Sequence, residues 1–253
     1  MTDNKRDASP YFRKYYAHRG LHDNEKRIPE NSLAAFRNAV QHGYGVELDV
    51  QLSKDGFVMV FHDDSLKRMT GKEGNIWDYT KEELQSLSLA ETGETIPLFE
   101  DVLKVLREGT GPLIVELKTG PRNNELCEKT YAFLKEYPGV FCIESFNPFI
   151  VNWFRKHAPE VFRGQLATSL KGYGAYPKLI GKALSGCKFS FLNRPDFIAY
   201  DHHAPIPKSV EKRRAKKNTL LIAWTLRSDE EREDDEKRFD AIIFESIAPP
   251  LSY

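Results

Sequence analysis

The chain has 253 residues, 40% hydrophobic and 29% charged, which is the composition of a soluble globular protein that can bury a core. Its 37 Lys and Arg residues balance its 37 Asp and Glu residues, so neither nucleic acid nor an anionic membrane surface is the expected partner. Three scattered cysteines, and the lack of an apolar run long enough for a signal peptide or a transmembrane segment, predict a cytoplasmic protein.

Short apolar runs alternate with amphipathic stretches along the chain. Nine runs are predicted to be strands: Tyr15–His18, Gly45–Leu52, Phe57–His62, Leu113–Leu117, Val140–Phe146, Gly164–Thr168, Phe197–Asp201, Leu220–Thr225 and Ala241–Glu245. Seven stretches are predicted to be helices: Ser32–His42, Leu98–Glu108, Asn124–Glu136, Pro148–His157, Pro177–Leu184, Lys208–Lys217 and Ser228–Arg238. Helix-start residues support two of them, with Asn31 before the first and Ser228 opening the last. Such alternation predicts right-handed βαβ units and a parallel sheet.

The number of strands favours a closed barrel. Two predicted strands flank the turn residues Lys54-Asp55-Gly56 and form a hairpin, so eight strands remain for the parallel sheet. A TIM (β/α)₈ barrel typically takes about 250 residues, so residues 1–253 are predicted to form one such domain. Residues 65–94 break the rhythm after the second strand and are predicted to be a small insertion. The insertion is either a lid or specificity element, or a surface excursion packed by Trp77.

The stretch VELDV places two acids inside a predicted strand. Residues two apart share one face of a strand, so Glu47 and Asp49 point one way while Val46, Leu48 and Val50 point the other. The apolar face must meet the outer helices, which turns the acids toward the barrel axis. Two carboxylates in one apolar pocket repel each other, and a bound Mg²⁺ or Ca²⁺ would resolve the conflict. The alternative is a pair of surface acids on a solvent-facing strand.

The stretch LIVELKT repeats the pattern. Glu116 and Lys118 share one face of their predicted strand, so a third acid would complete a metal site and the lysine would suit an anionic substrate.

Two histidines follow predicted strands. His18 ends the first strand and is followed by Arg19, and His62 ends the second strand of the hairpin. Imidazoles exchange protons near neutral pH, as an acid/base pair requires, and a guanidinium can bind phosphate oxygens in a fork.

These residues belong to motifs that resemble one enzyme family. The sequence reads HRG at 18–20, PENSLAAF at 29–36, GVELDVQLSKDG at 45–56, VFHD at 60–63, RMTG at 68–71, IPLFEDVL at 96–103, VELK at 115–118 and AWTLR at 223–227. These motifs closely resemble the glycerophosphodiester phosphodiesterase family, whose fold is a TIM barrel with a small insertion after the second strand. The resemblance covers nearly the whole chain.

The resemblance implies metal-dependent hydrolysis of small-molecule glycerophosphodiesters, by histidine acid/base catalysis. The products would be sn-glycerol 3-phosphate and an alcohol such as choline or ethanolamine, and the cofactor a divalent cation, Mg²⁺ or Ca²⁺. Carried onto matching positions, it implies three groups of site residues: the metal ligands Glu47, Asp49 and Glu116, the catalytic pair His18 and His62, and the substrate-binding residues Arg19, Lys118 and Trp224. Asn31 would either cap the following helix or lie near the site.

Two other functions stay open. One is a lysophospholipase D-like barrel that acts on lipid phosphodiesters, and the other is a catalytically silent barrel that binds phosphodiesters. The sequence also departs from the family near its end, where Phe244 and Glu245 replace a small polar pair, which puts the fit of the substrate in doubt. The basic run Lys208–Lys217 is interpreted as the solvated face of a helix and not as a nucleic-acid site.

Overall fold

The fold is a closed barrel of parallel strands with helices around it. The computed structural model describes residues 7–11, 14–23, 25 and 27–251. The strands in these ranges are β1 (Tyr15–Ala17), β2 (Gly45–Leu52), β3 (Val58–Val60), β4 (Leu113–Leu117), β5 (Phe141–Ser145), β6 (Phe162–Ala167), β7 (Phe197–Asp201), β8 (Leu220–Leu226) and β9 (Ala241–Phe244). Eight of them form a parallel ring in the order β1-β2-β4-β5-β6-β7-β8-β9, which β1 closes by pairing with both β2 and β9. The predicted TIM barrel is therefore confirmed.

The strand outside the ring forms the predicted hairpin. β3 pairs with β2 in antiparallel fashion, with Val60 opposite Val50, and the backbone N–H of Ser53 donates to the carbonyl of Phe57 across the turn. This hairpin leads into the segment predicted to be an insertion.

The helices follow the predicted alternation. They are α1 (Leu33–His42), α2 (Lys67–Thr70), α3 (Lys81–Gln85), α4 (Phe99–Leu106), α5 (Asn123–Leu134), α6 (Pro148–His157), α7 (Lys178–Ser185), α8 (Ser190–Asn193), α9 (Lys208–Lys217) and α10 (Asp229–Arg238). Within the described ranges, none of them has the length and apolar character needed to cross a bilayer.

The predicted cap of α1 was off by one residue. The N-cap is Ser32, whose hydroxyl accepts a hydrogen bond from the backbone N–H of Ala35. Asn31 has a left-handed backbone with φ +54, so its side chain is turned away from the helix end. Ser228 is the N-cap of α10, as predicted.

Strand alternation separates an outer apolar layer from the barrel interior. Val46, Leu48 and Val50 of β2 belong to the outer layer, with Phe36 of α1 and Phe99 of α4. The barrel interior is filled by a second cluster, and its strand residues include Tyr16, Ile114, Cys142, Ile222 and Ile243.

The inward residue that follows each of these interior positions is polar or amphipathic. Moving two positions toward the carboxyl end of each strand gives His18, Glu116, Glu144, Trp224 and Glu245. Apolar side chains thus fill the barrel beneath a layer of ionisable and aromatic side chains, which lies at the end where active sites of such barrels form.

The insertion builds a cluster of its own between the hairpin and α4. Its buried members are Met59, Phe61, Leu66, Met69, Ile76, Leu84, Leu89 and Ile96, and Trp77 packs against them partly buried. The predicted packing by Trp77 is present.

Candidate active site

Three buried carboxylates meet at the ends of two neighbouring strands. β2 and β4 are paired so that Asp49 lies directly opposite Glu116, and Glu47 is one inward position below. One oxygen from each of these three residues lies within 4.8 Å of the others, and all three residues are buried. The acids from the VELDV and VELK motifs therefore come together.

The three acids include no positive group that would balance their negative charges. Burial, together with the Asp49 and Glu116 carboxylates, raises the pKa of Glu47 well above its ordinary value, and burial also raises the pKa of Glu116. Burial alone would raise the pKa of Asp49, but interactions with His62 and Lys118 outweigh it and lower the pKa.

The donor set fits a hard divalent cation. Asp49 Oδ1 is buried and accepts no hydrogen bond from the part of the chain that the structure describes, although Lys118 Nζ lies 3.4 Å away. Three converging carboxylates supply the oxygen ligands that Mg²⁺ and Ca²⁺ take, and no thiol or imidazole that would favour zinc is in the group. Glu47, Asp49 and Glu116 are thus the residues that could hold such an ion.

Lys118 lies next to two of the acids. Its Nζ is 2.9 Å from Glu116 Oε1 and 3.4 Å from Asp49 Oδ1. Burial works against its charge, but these two carboxylates raise its pKa above the ordinary value, so the lysine stays protonated.

Arg19 lies on the other side of the acids. Its backbone N–H donates to Glu47 Oε2 at 3.0 Å, and its guanidinium lies 2.7 Å from Glu30 Oε1 and 3.5 Å from Asp49 Oδ2. The side chain is 15% exposed, so a substrate phosphate at the mouth could reach it.

His18 contacts the carboxylate of Glu245, a residue at which the chain departs from the family pattern. Its Nδ1 contacts Glu245 at the end of β9, and its Nε2 lies 4.0 Å from Glu47 Oε2. Glu245 also accepts a 2.8 Å hydrogen bond from Arg227 Nε. Burial lowers the pKa of His18, whereas contacts with His18 and Arg227 overcome burial and lower the pKa of Glu245.

His62 has a carboxylate partner as well. Its Nδ1 lies 2.6 Å from Asp63 Oδ1, and Arg68 Nε donates to Asp63 Oδ2 at 2.5 Å. Arg68 also donates to both oxygens of Glu30, at 2.7 and 2.9 Å. Arg68 therefore connects the insertion to the residue that holds the Arg19 guanidinium.

Trp224 faces the interior at the end of β8. It packs against the inner cluster, and its ring centroid is 5.7 Å from that of Phe146 at 90°. Its indole Nε1 is buried and has no hydrogen-bond partner among the described residues.

One further residue at the site was missed. Glu144 of β5 lies opposite Glu116 and is buried, and its Oε2 has no hydrogen-bond partner in the described ranges. Burial raises its pKa well above the ordinary value. CIES has the same inward acid as VELK, and that parity could have identified it. Asn31, which the resemblance placed either at the helix cap or near the site, lies at the site and donates to Asp49 Oδ2 at 2.9 Å.

Comparison with known proteins identifies the family of the chain. The sequence model of the Glycerophosphoryl diester phosphodiesterase family matches residues 18–247. The chain belongs to this family. A glycerophosphodiester phosphodiesterase of Caldanaerobacter subterraneus subsp. tengcongensis is 33% identical over 196 residues, which are 68% of this chain and 79% of the relative. The predicted family and enzyme class, a phosphoric diester hydrolase, are confirmed.

Solved structures of similar proteins share the fold. A phosphodiesterase of Oleispira antarctica, solved in complex with the product sn-glycerol-3-phosphate, has a TM-score of 0.79 at 24% identity over 94% of this chain and 95% of the neighbour. A glycerophosphodiester phosphodiesterase of Thermotoga maritima has a TM-score of 0.70 at 26% identity over 92% and 94% of the two chains.

Proposed function

We propose that the protein hydrolyses glycerophosphodiesters to sn-glycerol 3-phosphate and an alcohol, with a divalent cation, and that His18 and His62 are its general acid and base. The observation that carries the proposal is the convergence of three buried carboxylates, within 4.8 Å of one another, beside Lys118 and Arg19. Carboxylates beside two positive side chains can bind a cation and a phosphate together, whereas they offer little binding energy to a neutral ligand.

Positive groups of the chain would stabilise the reacting phosphoryl group. Glu47, Asp49 and Glu116 would hold the cation, Mg²⁺ or Ca²⁺, which when bound supplies positive charge to the phosphoryl oxygens. Lys118 and Arg19 would neutralise charge that builds on those oxygens. Glu30 supports this role because it fixes the Arg19 guanidinium at 2.7 Å. Trp224 would form a wall of the pocket for the glycerol moiety.

The carboxylate partners prepare the two histidines for proton transfer. A carboxylate at Nδ1 accepts a hydrogen bond from the N–H of that nitrogen, which leaves the lone pair on Nε2. Glu245 does this for His18, and Asp63 does it for His62 at 2.6 Å. One Nε2 would remove a proton from the nucleophile, and the other ring would protonate the departing alkoxide, which is otherwise a poor leaving group.

Substitution of each histidine tests the assignment. His18→Ala and His62→Ala should each lower the turnover of glycerophosphocholine by at least about 10²-fold, the usual scale for a general acid or base. His42→Ala is the matched control, because His42 is exposed at the end of α1 and should leave the rate unchanged. Near wild-type turnover of either site variant would defeat the assignment.

A substrate and metal panel separates this function from its rivals. Release of glycerol 3-phosphate should require Mg²⁺ or Ca²⁺, stop with chelator, and occur with glycerophosphocholine or glycerophosphoethanolamine. Faster cleavage of lysophosphatidylcholine would favour the lysophospholipase D-like reading. Binding without release in any cation would favour the silent barrel. Asp49→Asn should weaken cation binding in calorimetry, since it removes a charged ligand.

We also infer that the chain forms one domain and works in the cytoplasm. The pairing of Tyr16 with Ile243 supports the first point, because the two ends of the chain close one barrel. The second is supported by the three cysteines, which are free and buried, as suits a reducing compartment.

A further inference from the structure

Several large apolar side chains are exposed on the segments between β5 and β7. Phe149 begins α6 after β5, and the others lie in the segment after β6, which includes the turn Leu170–Tyr173, α7 and α8. α6 contacts α8, and α7 contacts that turn. The ring centroids of Phe149 and Phe189 are 6.4 Å apart, and those of Phe146, just before α6, and Tyr173 of the turn are also 6.4 Å apart, so the segments adjoin. The surface, which we term the apolar patch, consists of Phe149, Leu170, Tyr176, Leu179, Ile180 and Phe191, of which Leu179 is 81% and Phe191 78% exposed. Soluble monomers rarely expose such a group without a partner.

The segment that carries most of the patch has charged side chains of one sign. Residues 164–193 contain four Lys residues and no Arg, Asp or Glu. Exposed lysines surround the patch, at Lys171, Lys178, Lys182 and Lys188. The neutral net charge of the whole protein conceals this basic face.

The patch borders the mouth of the active site. The segments that carry it follow the carboxyl ends of β5 and β6, the end at which the site carboxylates lie. A chain of aromatic contacts runs outward from Trp224 through Phe146 and Tyr173 to the exposed Tyr176. Successive ring centroids in this chain are 5.7, 6.4 and 6.2 Å apart. Whatever covers the patch is thus next to the substrate entrance.

We propose that the apolar patch docks the enzyme on the surface of a bilayer that contains anionic lipids. Apolar side chains flanked by lysines are the composition that inserts at the boundary between headgroups and acyl chains. The lysines would face lipid phosphates, and Leu179 and Phe191 would enter the acyl region. A second copy of the chain fits less well, because a symmetric contact would bring the lysines of both copies together.

Vesicle sedimentation tests the apolar half of the proposal. The wild-type protein should bind vesicles of 70:30 phosphatidylcholine and phosphatidylglycerol and leave vesicles of pure phosphatidylcholine unbound. The double variant Leu179→Ser/Phe191→Ser should partition at least about tenfold more weakly, since both side chains lose their burial in lipid. Val140→Ser is the matched control, because Val140 is 40% exposed at the opposite end of the barrel and should bind as the wild type does.

Charge reversal tests the electrostatic half. Lys178→Glu/Lys182→Glu should weaken binding by about tenfold or more, since each lysine near an anionic surface contributes about fivefold. The control Lys135→Glu/Lys216→Glu changes the net charge equally, and these residues follow or end helices at the far end of the barrel. Equal loss in both double variants, or no vesicle binding by the wild type, would overturn the proposal.

Two further measurements separate this result from other causes. All patch variants should hydrolyse soluble glycerophosphocholine at the wild-type rate, since no patch residue contacts the site carboxylates. Sedimentation equilibrium should show the same mass for wild type and Leu179→Ser/Phe191→Ser. A wild-type dimer that this variant converts to a monomer would instead identify the patch as a self-association surface and refute membrane docking.

Discussion

Replacing Glu245 by glutamine should slow turnover by releasing His18. The Glu245 carboxylate contacts His18 Nδ1 at the end of β9 and is itself bound by Arg227 at 2.8 Å. Glutamine keeps the shape of the side chain but removes its charge. Its amide can present either an oxygen or an NH₂ to the ring, so the tautomer with the lone pair on Nε2 is no longer enforced.

The size of the effect follows from the lost contact. A hydrogen bond to a charged group contributes about 1.5–3 kcal/mol, and about 1.36 kcal/mol corresponds to tenfold in rate. Glu245→Gln should therefore lower kcat roughly 10- to 150-fold. KM should change little, because Glu245 contacts the histidine and not the groups proposed to bind phosphate.

A continuous assay of glycerol 3-phosphate release at saturating cation measures both constants. Glu245→Asp keeps the charge and should retain more activity than Glu245→Gln. Arg227→Ala serves as a control, since the Arg227 side chain is 56% exposed and such a pair is worth only about 0.2–1 kcal/mol. If Glu245→Gln stays within threefold of the wild type while His18→Ala is inactive, the carboxylate does not position the histidine and the reasoning fails.

Three other predictions concern stability and reactivity. Asn31→Ala should lower the free energy of unfolding in urea by about 1–3 kcal/mol, because it removes the 2.9 Å hydrogen bond to Asp49. Asn31→Gly, which tolerates the left-handed backbone, should lower it nearly as much. Full stability of Asn31→Gly would show that backbone strain, and not the lost hydrogen bond, destabilises Asn31→Ala. Arg68→Ala should destabilise the protein at pH 7. The contact with Arg68 outweighs burial and lowers the folded-state pKa of Asp63, so this contact stabilises the fold only while Asp63 is ionised, and the loss of stability in the variant should shrink as the pH falls below the ordinary pKa of 3.8. A loss that persists at pH 2 to 3 would argue for a packing role instead. Burial raises the pKa of the Cys127 and Cys187 thiols to about 12 and that of Cys142 well above 9. Native protein at pH 8 should therefore react slowly with Ellman's reagent, whereas unfolded protein should react at once. Rapid reaction of any thiol in the native protein would contradict the burial of these residues.

The barrel was predictable because its signals are local. Each predicted strand is a short apolar run between turn residues, and most of the seven predicted helices have an amphipathic pattern, so the alternation could be read without knowledge of contacts. The last helix has no apolar residue and was indicated by its N-cap Ser228. The inward direction of Glu47 and Asp49 followed from strand parity alone. The prediction of the N-cap of α1 was wrong by one residue because Asn and Ser are both good N-caps, and only the left-handed backbone of Asn31 distinguishes them.

Much of the site could not be read from local pattern, because its contacts join residues far apart in the chain. Glu245 meets His18 across the closure of the barrel, which a sequence shows only as an unusual residue after the last strand. Arg68 reaches back to Glu30 through an insertion whose path has no periodic signal. Glu144 was the exception, since its strand repeats the inward acid that had been recognised one strand earlier.

The hairpin strand β3 lies outside the closed ring, and it alone delivers His62 to the site. His18, in contrast, extends directly from the ring strand β1. Substitutions in the hairpin and insertion can therefore shift one imidazole while the hydrogen bonds that close the barrel stay intact. Such a division lets selection change the distance between the two histidines proposed to transfer protons at little cost to folding.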